Sequence, residues 1–195
     1  MGTLPHDWEK IRRLGLPRGF AVCELGNQII GHSRPPGVPT KGTYISGMGA
    51  SRYCSIDGNG RGTHVWDLNL PLSAALKSEL GQFDLVTDFG TGEHIFDQAQ
   101  VWKTIHELTK LNGCIVFDRP TQGWEKHCYY NTNVCLYHDI ATANQYDLLM
   151  LQVSPAHQGK LVHGAFRKRS SAPFQVPQQG RYHAILTPIM GKQGA

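Results

Sequence analysis

Short apolar runs alternate along this chain with stretches in which apolar residues recur every three or four positions. Phe20–Leu25 (FAVCEL), Phe83–Phe89 (FDLVTDF), Cys114–Phe117 and Tyr146–Val153 belong to the first kind and read as strands. Arg52–Asp57 (RYCSID) and His64–Leu68 (HVWDL) add two shorter strands, and Tyr182–Leu186 supplies a seventh. Asp97–Leu111 carries Val101, Ile105, Leu108 and Leu111 on one helical face, with Asp97 as its natural N-cap. Trp8–Leu14, Leu72–Leu80 and Asn131–Asn144 read as further helices, with Asn69 capping the second and Gly81 closing it. Strands that alternate with helices predict an α/β fold with a mainly parallel sheet. Pro35, Pro36 and Pro39 keep any long helix out of Gly31–Thr43, and Tyr44–Ala50 has room for a short one at most. Ser154–Gly180 is polar and basic and reads as a long loop or insertion.

Composition narrows the class. A chain of 195 residues, 40% hydrophobic and 17% charged, suits one globular domain over 1–195, with 1–18 as a helical lead-in. No apolar run approaches the roughly 18 residues needed to cross a membrane, and the N-terminus lacks the apolar stretch of a secretory signal. His6 stands where a myristoylation signal needs Ser or Thr, so a cytoplasmic location is the default expectation. The five cysteines are odd in number and form no C-x-x-C pair, which predicts neither a disulfide framework nor a zinc ribbon. Net charge is +4, with Arg167, Lys168 and Arg169 in one run. The basic segment Lys160–Arg169 is either a solvated loop or a patch for phosphate or an acidic partner. No base-reading motif accompanies it, so nucleic acid is not the expected partner.

Several acids and imidazoles fall just where predicted strands end, and in open α/β sheets ligands bind at those ends. Glu24, Gly26, Asn27 and Gln28 follow the first strand. Asp57 and Gly58 follow the second, where Asp57 either holds a pair of ribose hydroxyls or forms the turn. Asp67 and Leu68 end the third; Asp67 either accepts from an adenine amino group or caps the next helix. Asp88 and Phe89 end the fourth, and the glycine-rich corner after them presents Glu93 and His94. After the fifth, Trp124, His127, Tyr129, Tyr130 and Asn131 gather aromatic, imidazole and amide groups of the kind that line substrate pockets.

The order strand-ELG, strand-D, strand-DL, strand-DFGTGEH, helix, strand resembles the class I S-adenosylmethionine-dependent methyltransferases. It is similar above all to small bacterial-type domains in which LGNQ, SIDGNGRG, DLN-P, EH-x-x-DQ, IH-x-L-x-K-x-x-G and GW-x-x-H-x-YYN recur in this order, covering Gly19 to Val153. The resemblance implies a Rossmann-like, doubly wound, seven-stranded and mostly parallel sheet with helices on both faces. Its last strand would be antiparallel, which suits RYHAIL near the C-terminus. It implies S-adenosylmethionine as cofactor and methyl transfer to an oxygen, nitrogen or carbon of a small-molecule acceptor. Glu24, Gly26, Asn27 and Gln28 would face its methionine and ribose parts, Asp57 and Gly58 the ribose, Asp67 and Leu68 the adenine, and Asp88 and Phe89 the methyl donor. His94 would be the base, His127 the second choice, and Glu93 would orient His94 or bond to substrate. Trp124, Tyr129, Tyr130 and Asn131 would line the acceptor site. Only the first glycine of the acid-x-Gly-x-Gly-x-Gly motif is present, which keeps a second reading open: a non-catalytic binding or scaffold module. Some quinone-type methyltransferases bind a divalent metal through E-x-x-E-H; Gly90 occupies the first acidic position here, so no metal is expected.

Overall fold

A computed structural model describes residues 5–30 and 38–178. Its centre is β1 (Ala21–Leu25), buried along its whole length. On one side β1 pairs in parallel with β4 (Arg52–Ile56), and on the other with β5 (Phe83–Phe89). The parallel ladder continues to β6 (Thr109–Gln122). A hairpin of β7 (Tyr146–Ala156) and β8 (Gly159–Lys168) completes the sheet, in the order β4-β1-β5-β6-β8-β7. Two-residue strands β2 (Ile29–Ile30) and β3 (Val38–Pro39) pair with each other apart from it. β8 is antiparallel to both neighbours.

The alternation of side chains along each strand gives the sheet two cores. Cys23, Leu25, Val86, Ile115, Phe117, Val162 and Phe166 face helices α2 (Ala74–Leu80), α3 (Gln98–Leu108) and α4 (Val134–Ala143). Phe117 stacks on Tyr137 at 4.5 Å and meets the edge of Trp102 at 5.4 Å. Gly164 of β8 is required there, because a Cβ on it would collide with the Phe117 ring. Val22, Leu85, Phe89, Val116 and Ala165 face the other way, toward Trp8 and Ile11 of α1 (Pro5–Arg12) and Tyr44 of a π-helical turn at Thr43–Gly47. Helices therefore cover both faces, among the described residues three on one side and one on the other.

Three expectations change. Among the described residues the main sheet has six strands, and His64–Leu68 contributes only a single bridge, Ile56 to His64. A turn at Asp67–Leu70 ends the segment before a ladder can form. The helix after it starts at Ala74 and is capped by Ser73, whose Oγ accepts from Leu76 N, while Asn69 Oδ1 accepts from Asp97 N instead. Within the expected loop Ser154–Gly180, residues 154–168 hold the end of β7, the hairpin turn and all of β8; 169–178 have no regular structure, and 179–180 lie outside the described residues. Among the described residues the antiparallel strand is β8; the expected strand Tyr182–Leu186 lies outside them.

The basic run at the end of β8 is consumed by the fold. Arg167 donates to Leu14 O, buried Lys168 donates to His106 O and Thr109 O, and Arg169 pairs with Asp147. Across β6, β8 and β7, His163 Nδ1 lies 2.6 Å from Asp118 and its Nε2 lies 2.6 Å from Ser154 Oγ, a polar chain that fastens three strands. All five cysteines are free, and Cys23, Cys54 and Cys114 are buried in strands.

Candidate functional site

The register of β1, β4 and β5 brings their carboxyl ends level. Leu25 is opposite Ile56, so Gly26 and Asp57 emerge side by side, and Gly26 N donates to Ile56 O at 2.7 Å. Gly26 has φ +79°, and a Cβ there would run into the Thr91 hydroxyl. The position needs glycine on both counts. Asp57 Oδ2 accepts from Asn27 N at 2.8 Å and its Oδ1 from Asn59 N at 2.9 Å. It forms its own turn and also pins the loop after β1. Each oxygen keeps a second lone pair for a ligand.

Glu24 is fully buried. One of its oxygens accepts from Thr40 Oγ1 (2.6 Å) and Tyr53 OH (2.7 Å); the other has no hydrogen-bond partner. Burial pushes its pKa up to about 7, against the pull of the two hydroxyls. Gln28 Nε2 donates to Leu25 O and Thr91 Oγ1, which ties the loop after β1 to the loop after β5. The Gln28 Oε1 is buried without a partner. Buried acceptors left open in this way cost about 1–3 kcal/mol each unless a donor reaches them.

Two side chains named from the sequence are placed in the cores. Leu68 is 2% exposed within the α2 and α3 core, and Phe89 is buried against α1. Asp67 is exposed and accepts from Asn69 through its backbone N and side-chain amide, which lowers its pKa.

Asp88 is occupied from both sides. Its Oδ1 accepts from Thr91 N and Gly92 N, and its Oδ2 takes a hydrogen bond from Arg119 Nη2. Arg119 sits near the end of β6, 1% exposed, beyond the Cys114–Phe117 run that the sequence marks as a strand. An arginine just after the apolar run Cys114–Phe117 was the signal, since a buried guanidinium demands a carboxylate. Burial alone would strip its charge, but Asp88 and Glu93 outweigh it and raise the Arg119 pKa. Gly92 makes room: a Cβ there would overlap the guanidinium.

Glu93 and His94 lie in a 3-10 turn, Gly92–His94. Glu93 points inward, fully buried, with neither carboxylate oxygen hydrogen-bonded; Arg119 Nε is 4.0 Å away. Burial raises its pKa to about 7 although Arg119 pulls it down. His94 is exposed and meets the His127 ring edge-on at 4.9 Å. Partial burial and the neighbouring imidazole lower its pKa, so it is neutral at pH 7. The nearest ligating atoms of Glu93, His94 and His127 all lie within 4.8 Å of one another. His94, His127, Glu125, Lys126, Cys128 and Tyr129 line a cleft of about 460 Å³.

The loop after β6 divides its residues. Trp124 is buried, with its indole N–H on Lys160 O and its ring 5.2 Å from His127. It supports the imidazole. Tyr129 is 70% exposed on the cleft, and its backbone N donates to Glu93 O. Tyr130 OH donates to Phe96 O, and Asn131 is exposed.

No family model and no curated protein sequence matches this chain. Solved structures do. N-methyltransferase NodS from Bradyrhizobium japonicum WM9 superposes with a TM-score of 0.56 at 12% identity, over 85% of this chain and 96% of that one. The 1,6-didemethyltoxoflavin-N1-methyltransferase of Burkholderia thailandensis, solved with its substrate and S-adenosylhomocysteine, gives 0.58 at 16% identity, over 85% and 77%. Magnesium protoporphyrin IX methyltransferase (ChlM) from Synechocystis PCC 6803, with bound S-adenosylmethionine, gives 0.54 at 14%, over 84% and 76%. The fold is that of the class I S-adenosylmethionine-dependent methyltransferases, with six strands of the main sheet among the described residues. No helix among the described residues is long and apolar enough to cross a membrane.

Proposed function

We propose that this protein transfers a methyl group from S-adenosylmethionine to a small-molecule acceptor held in the cleft at His94, His127 and Tyr129. The observation that carries the reading is the meeting of two sites at one sheet edge. Open acceptors lie at the tips of β1 and β4, and a carboxylate with two imidazoles borders a cleft after β5 and β6. Structural neighbours that are methyltransferases with different substrates support the reaction type.

The residues fit the cofactor by their chemistry. S-adenosylmethionine offers an ammonium and two ribose hydroxyls as donors, and the unpartnered oxygens of Glu24 and Gln28, with the spare lone pairs of Asp57, are acceptors. Gly26, Asn27 and Gly58 let the backbone approach closely. When bound, the cofactor supplies an activated methyl, so the chain has mainly to align the acceptor and exclude water. Asp67 stands beside this edge for the adenine. Leu68, Asp88 and Phe89 act from behind, as the packed floor beneath it.

Proton removal from the acceptor falls to the Glu93, His94 and His127 cluster. His94 is the first choice, being neutral and open to the cleft, with His127 behind it. Calorimetric titration with S-adenosylmethionine and S-adenosylhomocysteine tests the cofactor; no binding of either would end this reading in favour of a scaffold. His94→Ala should lower turnover by about 100-fold or more while cofactor affinity stays nearly constant. Unchanged turnover would remove the cluster from the chemistry.

A further inference from the structure

The last three strands of the sheet bring together a second set of chemical groups. Asp118 of β6 is directly opposite His163 of β8, and Ser154 of β7 reaches the same imidazole from the other side. His163 Nδ1 is 2.6 Å from Asp118 Oδ1, and its Nε2 is 2.6 Å from Ser154 Oγ. A carboxylate can only accept, so Nδ1 carries the ring proton. In the neutral ring Nε2 is then an acceptor, and the Ser154 hydroxyl donates to it. The chain of bonds therefore has one direction, from hydroxyl to imidazole to carboxylate. Lys10 of α1 stands 3.8 Å from Asp118 Oδ1 and fixes that end from the helix side. Asp118 and His163 are buried, whereas Ser154 is half-buried. A tie between β6 and β8 needs only the first two groups; the third adds a hydroxyl that a ligand can approach.

We infer that Ser154 is a nucleophile for acyl transfer, with His163 as its base and Asp118 as the residue that positions His163. A hydroxyl bonded to a base, with the base held by a third group, defines such sites by geometry on unrelated folds. β7 is the outermost strand among the described residues. Alternate N–H groups along an edge strand point away from the sheet, and these are donors suited to a developing oxyanion. The open edge suits a carboxylic ester with a short acyl group. Ser154 Oγ attacks the carbonyl carbon as its proton passes to His163 Nε2. The Oγ–C bond forms, the C–O bond to the leaving group breaks, and the proton departs on the alcohol. Water then repeats the step on the acyl-serine, which releases the acid and restores the hydroxyl. This activity shares no residue with the methyl-transfer site.

The test treats the full chain with a fluorophosphonate probe, whose P–F bond breaks as Oγ–P forms and hydrogen fluoride leaves. Mass spectrometry should find one adduct per chain, on Ser154, and 4-nitrophenyl acetate should be hydrolysed with an initial burst. Ser154→Ala should abolish both, while Ser171→Ala, at an exposed serine, should change neither. Asp118→Asn should slow labelling of the folded chain by about 1,000-fold or more, because the amide no longer holds the proton on Nδ1. A purely structural Asp118 would lower the melting temperature and leave that rate alone. Ser154→Ala removes one hydroxyl from an edge strand, so it decides the matter even where Asp118→Asn fails to fold. An unlabelled wild-type chain, an adduct away from Ser154, or labelling that either variant retains in full overturns the proposal. No arm of the test contains S-adenosylmethionine, so its outcome is independent of the methyl-transfer reading.

Discussion

Removing the Arg119 guanidinium tests the arrangement on which the candidate site stands. Arg119→Met keeps an unbranched apolar stem of similar length but leaves Asp88 without its charged partner and Glu93 without the nearest cation. All three groups are 1% exposed or less in their side chains, so water offers little relief. Breaking a buried pair by deleting one partner costs about 3–5 kcal/mol. For a chain of this size each kcal/mol moves the melting temperature by about 2–4 °C, which predicts a fall of roughly 6–20 °C. Circular dichroism on heating, repeated in urea at neutral pH, measures it. Adding Asp88→Asn should recover at least half of the loss, because an asparagine oxygen still accepts from Thr91 N and Gly92 N while the stranded charge is gone. A loss below about 1 kcal/mol, or no recovery in the double variant, would refute the claim that this pair organises the corner after β5.

Glu24 should make stability fall as pH rises. Its folded pKa of about 7 lies above the 4.5 of an unfolded glutamate, so the folded chain binds more protons between those values, and stability drops across pH 4.5–7 before levelling. Glu24→Gln keeps an acceptor for Thr40 and Tyr53 and should flatten that part of a urea-midpoint profile against pH; an unchanged slope would remove Glu24 as its source. Gly92→Ala should cost about 1–3 kcal/mol in thermal unfolding, since its Cβ meets the Arg119 guanidinium, and the loss should largely vanish in an Arg119→Met background.

Much of this architecture is readable from local pattern, and what escapes depends on residues far apart in the chain. FAVCEL and FDLVTDF are apolar enough to declare themselves, and Asp97 and Gly81 close their helices where their chemistry predicts. β8 hides because LVHGAF carries a glycine and a histidine in its middle. Gly164 is there for the Phe117 ring and His163 for Asp118, and neither reason can be seen within the segment. HVWDL errs the other way: apolar in composition, it leaves Val65 61% exposed and turns before pairing. At the site, the strand-end acids Glu24 and Asp57 could be placed from spacing alone. The meeting of His127 with Glu93, and the insertion of Arg119 between two carboxylates, are products of the fold.

Gln98 begins α3, and Arg119 lies near the end of the strand that α3 feeds. Their side chains touch at 3.2 Å, while Lys168 clamps the helix–strand junction at the far end through His106 O and Thr109 O. Residues 98–119 therefore form a closed mechanical loop, fixed at both ends, that carries the floor of the cleft. Such a loop has no slack with which to follow a ligand. Adaptation to different ligands must come from the rim, in the exposed turn that bears Tyr129, while the floor keeps its geometry.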